Sequence, residues 1–262
     1  MYRQIGLFLT LLSFSALLGT DPAASSSPRP ADGEILVAAA VSLKEAFTEI
    51  AADYHQRTGA AVAFTFGSSG ELEKQIEAGA PIDVFASAGE KEIEELRVKQ
   101  MIDLSTQADF ARNSLVLIVP AESKLQLHSF EDLAPAGVAK IAVGNPKTVP
   151  AGRYAREFLE NARLWWKVES RLVQAENVRQ VLDYVDHGEV DAGIVYATDV
   201  AIAHGSVTVA ARAPEEKYGP VLYPIAVVKS SNHAEAARQF VDLVCGPEGA
   251  GILKKYGFLP PR

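Results

Sequence analysis

Apolar residues in this chain alternate between short unbroken runs and helically spaced sets. Ile35 to Val41 reads Ile-Leu-Val-Ala-Ala-Ala-Val, the continuous apolar run of a parallel strand buried on both faces. After Ser42, apolar residues recur at Leu43, Phe47, Ile50 and Tyr54 and the set closes at Gly59, which predicts an amphipathic helix. Ala61 to Phe66 predicts a second strand, Leu72 and Ile76 a short helix ending at Gly79, Ile82 to Ala86 a third strand, and Ile93 with Leu96 a third helix. The order βαβαβα predicts right-handed crossovers over a parallel sheet.

A second alternating set follows an apolar strand at Leu115 to Val119. It has strands at Val138 to Val143, Ala192 to Tyr196 and Val207 to Ala210, with helices around Tyr154, Phe158 and Leu159 and around Val178, Val181, Leu182 and Val185. Val221 to Val228 returns as a strand, in which Pro224 predicts an edge position or a bulge. Two helices, about 232–244 and 247–256, close the chain. The predicted fold class is α/β with two lobes, each a mainly parallel sheet flanked by helices, joined by crossover segments near Asn113 and Leu222. Lobe one then comprises residues 34–113 plus 223–262, and lobe two residues 114–222.

The first 33 residues stand apart. Arg3 precedes an apolar run of 14 residues, Ile5 to Leu18, which suits a secretory signal peptide and falls short of the roughly 20 residues of a membrane span. Asp21 to Gly33 is a Pro/Ser-rich spacer, and no cysteine follows the run to carry a lipid. The 262 residues carry a net charge of −8, with 22% charged and 48% hydrophobic residues. That composition excludes a largely disordered chain and opposes a nucleic-acid or anionic-membrane binder. The lone Cys245 cannot close an internal disulfide.

Catalytic patterns are missing. There is no phosphate-loop lysine motif and no dinucleotide glycine fingerprint. Gly67-Ser68-Ser69-Gly70 brings its second glycine one residue too early for a hydrolase elbow, and five scattered histidines show no metal spacing. What the sequence offers instead is four junctions of small or hydroxyl residues at predicted helix starts: Val41-Ser42-Leu43, Ser68-Ser69-Gly70, Pro150-Ala151-Gly152 and Asn177-Val178-Arg179. First-turn N–H groups are unpaired and carry partial positive charge, so an oxyanion is stabilised there without a cation. In α/β sheets such helix starts gather at the carboxyl ends of the strands. Ordinary helix capping explains any one of these junctions equally well, and Tyr196 reads equally well as core.

The sequence also resembles a known family at these same residues. Ala39-Ala40-Val41-Ser42-Leu43, Phe66-Gly67-Ser68-Ser69, Gly79-Ala80-Pro81-Ile82-Asp83-Val84-Phe85, Val143-Gly144-Asn145-Pro146 with Val149-Pro150-Ala151-Gly152, Glu176-Asn177-Val178-Arg179, Gly193-Ile194-Val195-Tyr196 and Lys255-Tyr256-Gly257-Phe258 are similar to the molybdate-binding family of periplasmic proteins of ABC transporters. The resemblance runs from Ile35 to Phe258 and implies a type II periplasmic-binding-protein fold. It implies molybdate, and tungstate of similar shape, held between the lobes with no cofactor and no catalysis. Ser42 and Ser69 would donate through hydroxyl and backbone N–H, Ala151 and Val178 through backbone N–H, and Tyr196 through its phenol. The implied partner is a membrane permease, with no nucleic acid, and the chain is expected to be a periplasmic monomer. Gly70 departs from the family, which often has another hydroxyl there, and Val41 replaces a smaller alanine. Other readings are a carrier of sulfate, phosphate or ferric iron, a hydrolase using Ser69, and the sensing half of a transcription regulator.

Overall fold

The computed structural model describes residues 34–135 and 137–261, so the leader and spacer expected over residues 1–33 lie outside the described residues. The chain begins with β1 (Ile35–Ala40), buried along its whole length. A 3-10 turn at Val41–Leu43 leads into α1 (Lys44–Thr58), which buries Ala46, Phe47, Ile50 and Tyr54. There follow β2 (Val62–Gly67), α2 (Ser69–Glu77), β3 (Val84–Ala86), α3 (Glu90–Val98) and β4 (Ala108–Asn113). The second half holds β5 (Leu115–Pro120), β6 (Ile141–Gly144), α4 (Pro150–Asn161), α5 (Trp165–Val168), β7 (Leu172–Ala175), α6 (Val178–Asp186), β8 (Ala192–Tyr196), α7 (Ala197–Ile202) and β9 (Val207–Arg212). The chain closes with β10 (Val221–Val227), α8 (Ala234–Cys245) and α9 (Pro247–Lys255).

These strands form two five-stranded sheets of matching topology, β2-β1-β3-β10-β4 and β7-β6-β8-β5-β9. In each, a parallel trio built from βαβ units is extended by one reversed strand: β10 runs antiparallel to β3 and β4, and β5 antiparallel to β8 and β9. The reversed strand is in both cases the one that enters from the other sheet. The chain crosses once between Asn113 and Leu115 and returns between Arg212 and Val221. Val221 and Leu222 pair with Asn113 and Arg112, which puts both in the first sheet, slightly earlier than the return expected from the sequence. One large apolar cluster runs through both lobes, and a smaller one under α2 and α3 covers the other face of the first sheet.

Several local expectations change. β4, β7, α5 and α7 went unpredicted because they are short or carry polar residues in Ala-Asp-Phe-Ala-Arg-Asn and Leu-Val-Gln-Ala. β6 starts at Ile141 instead of Val138 because the amides of Ala139 and Lys140 donate to the Asp191 carboxylate (2.6 and 2.8 Å), while the Val138 carbonyl accepts from Arg171. Pro224 sits at a bulge, as its missing N–H demands, but on an inner strand. Asp83, within one of the family-like motifs, is structural: its carboxylate accepts from Leu36 N (2.7 Å) and Ser231 Oγ (2.6 Å), tying β1 to the segment after β10. No described helix is long and apolar enough to cross a membrane.

Candidate binding cleft

The carboxyl ends of β1, β2 and β3 face those of β6, β7 and β8 across a narrow cavity. Ser42, Ser69, Ala151, Val178 and Tyr196, the five residues singled out in the sequence, all line it. So do Val41, Gly67, Ser68, Ala88, Val149 and Pro150, and no lining residue is charged or a histidine. A hydrolase reading of Ser69 therefore lacks its base in this cavity. Tyr196 is the sole lining residue of a type that binds ferric iron.

Each junction is a helix start whose cap leaves particular N–H groups free. Ser68 caps α2 by accepting from Glu71 N (3.4 Å), and Asn177 caps α6 by accepting from Gln180 N (3.0 Å). The earlier first-turn amides of Ser69 and Val178 have no intrahelical partner. In α4, Pro150 occupies the first turn and Ala151 follows it. This helix start lies flat on the end of β6: a Cβ on Gly152 would stand 1.9 Å from the Gly144 carbonyl oxygen, so only glycine allows the approach. Ser69 Oγ accepts from Ala88 N (3.0 Å), which leaves its own proton for the cavity. Tyr196 behaves differently. Its phenol reaches across the cleft and donates to the Ala88 carbonyl (3.0 Å), and burial raises its pKa well above the ordinary value.

Three further contacts bridge the lobes here, and one buried carboxylate lies beside them. Gly70 N donates to Thr148 O (3.0 Å), and a Cβ on Gly70 would lie 2.6 Å from that oxygen. The glycine that departs from the family's usual hydroxyl thus permits backbone-to-backbone contact between lobes. Arg179, on α6, holds Glu45, on α1, through two bonds of 2.9 Å each. Arg153, on α4, pairs with the fully buried Glu92 of α3 (2.9 Å). Asp199, on α7, accepts from Tyr196 N (3.1 Å), and burial pushes its carboxyl up to about 7 although the nearby Arg179 charge lowers it.

Sequence reasoning missed Ala88, Asn113, Tyr223 and these bridging pairs. Ser87-Ala88-Gly89 joins a strand to a helix through small residues, the same signal used for the other four junctions, so Ala88 was within reach. The ion pairs join residues 61 and 134 positions apart, which no local pattern reveals.

Two α/β lobes linked by a pair of crossing strands, with a cavity lined from both at their junction, define a type II periplasmic binding protein. The chain belongs to the bacterial extracellular solute-binding protein family, whose sequence profile matches residues 35–259. It is 38% identical over 231 residues to the molybdate-binding protein ModA of Escherichia coli, covering 87% of this chain and 89% of that one. It is 35% identical over 262 residues to the putative ABC transporter substrate-binding lipoprotein YvgL of Bacillus subtilis, covering 98% and 99%. Among solved structures, the periplasmic molybdate-binding protein of Azotobacter vinelandii superposes with a TM-score of 0.78 at 28% identity, covering 87% of this chain and 100% of that one.

Proposed function

We propose that this chain captures molybdate between its lobes and presents the closed complex to the permease of an ABC importer. The observation that carries the reading is the uncharged, donor-lined cavity between the two sheets, in a chain whose relatives include molybdate-binding proteins. Ser42 and Ser69 are the proposed hydroxyl donors, and the amides of Ser42, Ser69, Ala151 and Val178 the proposed backbone donors. A dianion taken out of water is stable only when its oxygens meet donors, each such charge-assisted bond contributing about 1.5–3 kcal/mol. Because the donors come from both lobes, the anion favours closure, which is the differential affinity that hinge motion requires. With a net charge of −8, long-range repulsion opposes capture, so the local dipoles must supply the attraction.

Tyr196 enters by exchange. To donate to the anion its O–H must turn from the Ala88 carbonyl, so its net contribution is smaller than that of a serine. Tungstate, nearly the same shape, is proposed to bind as well; sulfate is smaller and meets the fixed donors at stretched distances. The protein is proposed to act as a periplasmic monomer after losing residues 1–33, by binding alone, with lobes spanning 34–113 plus 221–262 and 114–220.

Titration calorimetry of residues 34–262 with molybdate, tungstate, sulfate and phosphate tests the reading. Molybdate and tungstate should bind tightly and the other two weakly. Ser69→Ala should weaken molybdate by about 1.5–3 kcal/mol. Tight sulfate binding without a molybdate response refutes the specificity.

A further inference from the structure

A buried chain of hydrogen bonds runs from the first crossover to Ser42, and its direction can be read from the atoms. Asn113, the last residue of β4 and buried, accepts from Ser114 N through Oδ1 (2.9 Å). That bond fixes the amide, so Nδ2 is the group facing Thr198 Oγ1 (2.9 Å) and the Tyr223 hydroxyl (3.2 Å). An amide NH2 only donates, so the Tyr223 oxygen must accept from it. The one proton of Tyr223 is then left for its other neighbour, Ser42 Oγ, at 3.1 Å. Ser42 Oγ would then accept, which leaves its own proton for the cavity that it lines.

We propose that Asn113 and Tyr223 are positioning residues that fix the Ser42 hydroxyl as a donor towards the bound oxyanion. This rests on the functional reading above and adds the residues that set its polarity. Taken alone, a serine–tyrosine hydroxyl pair can run in either direction, and one direction turns a serine lone pair on the anion. The amide of Asn113 removes that choice. Ser69 reaches the same state by a different route, since Ala88 N occupies its acceptor side. Asn113 also joins the lobes through Thr198 of α7, so the polarity is complete when the first crossover and the second lobe are in register.

The test is a double-mutant cycle in calorimetry, run with molybdate and in parallel with sulfate. Tyr223→Phe keeps the ring and removes the proton given to Ser42; it should weaken binding about 5–10-fold in the wild-type background. In the Ser42→Ala background the same change should alter affinity less than 2-fold. A merely structural tyrosine would cost the same in both backgrounds, and that result overturns the proposal. Asn113→Asp is the second variant: two acceptors reverse the chain, so it should cost at least 100-fold with Ser42 present and clearly less without it. Equal losses in both backgrounds again overturn the relay. A wild type that takes sulfate alone overturns the molybdate reading, while the cycle read with sulfate still decides the relay. A wild type that binds neither anion overturns both.

Discussion

Glu45→Gln tests whether the contacts between lobes belong to the binding equilibrium. The pair with Arg179 has two parallel N–H···O bonds of 2.9 Å, and its side chains keep 30% and 21% of their exposure. Burial raises the Glu45 carboxyl, but the Arg179 hydrogen bond and charge outweigh it, and the group lies below the usual carboxylate range. An exposed pair contributes at most about 1 kcal/mol, and removing one partner of a buried pair costs about 3–5 kcal/mol. This half-buried bidentate pair falls between, at about 1–2 kcal/mol. Because it spans α1 and α6, opening the cleft would break it, so its cost is expected to fall on the closed, liganded state. Affinity for molybdate should therefore drop about 5–30-fold, mainly through faster release. Titration calorimetry gives the affinity and stopped-flow competition the release rate, each at 20 mM and 500 mM NaCl. Salt screens the pair, so the ratio of variant to wild-type Kd should fall towards one at high salt. An affinity within 2-fold of wild type at 20 mM, or a ratio that ignores salt, refutes the assignment of this pair to closure.

Asp199→Asn removes a buried group whose carboxyl sits at about 7 against an ordinary 3.8. The folded protein holds that proton more tightly than the unfolded chain, so the associated stability is full below about pH 4 and is lost as pH rises through 7, roughly 4 kcal/mol in all. Urea denaturation should show the variant gaining on wild type over that window; parallel pH profiles would remove Asp199 as the cause. Gly152→Ala should lower thermal stability and abolish molybdate binding, because the added methyl meets the Gly144 carbonyl oxygen at 1.9 Å and lifts the α4 start that carries Ala151; a variant that melts and binds as wild type does contradicts the packing. Tyr196→Phe should cost molybdate binding less than Ser69→Ala does, about 1 kcal/mol or below, since the phenol already donates to Ala88 O. Calorimetry giving the reverse order would show that the phenol is free before the anion arrives.

The legible part of this structure was what strand burial and helix spacing encode locally. The apolar runs at Ile35 and Ala192 became β1 and β8, and the set from Phe47 to Tyr54 became the buried face of α1. All the helix starts chosen for unpaired amides face one cavity, because βαβ units deliver every such start to the same end of their sheet. The rest depends on chain crossing. The alternating pattern places the crossings near Asn113 and Leu222, but not the polar β4 or its pairing with β10, and nothing near Pro224 says that its strand will be interior. The Arg153 and Arg179 pairs were illegible for the same reason, as their partners sit on the other lobe.

The same crossing explains how an acidic protein offers a site fit for a dianion. Three buried or half-buried carboxylates near the cleft are engaged: Glu45 by Arg179, Glu92 by Arg153, and Asp199 through Oδ2 by the Tyr196 amide, while its buried Oδ1 has no partner and burial raises its pKa. What faces the cavity from Ser42, Ser69, Ala151 and Val178 is mainly donor in character, because Ala88 N occupies one acceptor site of Ser69 and, in the relay proposed above, Tyr223 occupies one of Ser42. The Ala88 carbonyl accepts from Tyr196. A hydrogen phosphate brings an O–H that must compete with the Tyr196 phenol for the Ala88 carbonyl, and a buried unmatched donor costs about 1–3 kcal/mol. Molybdate, tungstate and sulfate bring none, so among those three only the oxygen-to-oxygen span discriminates. Two filters of different physics are therefore expected in one cavity: hydrogen-bond polarity against protonated anions, and rigid donor spacing against small ones.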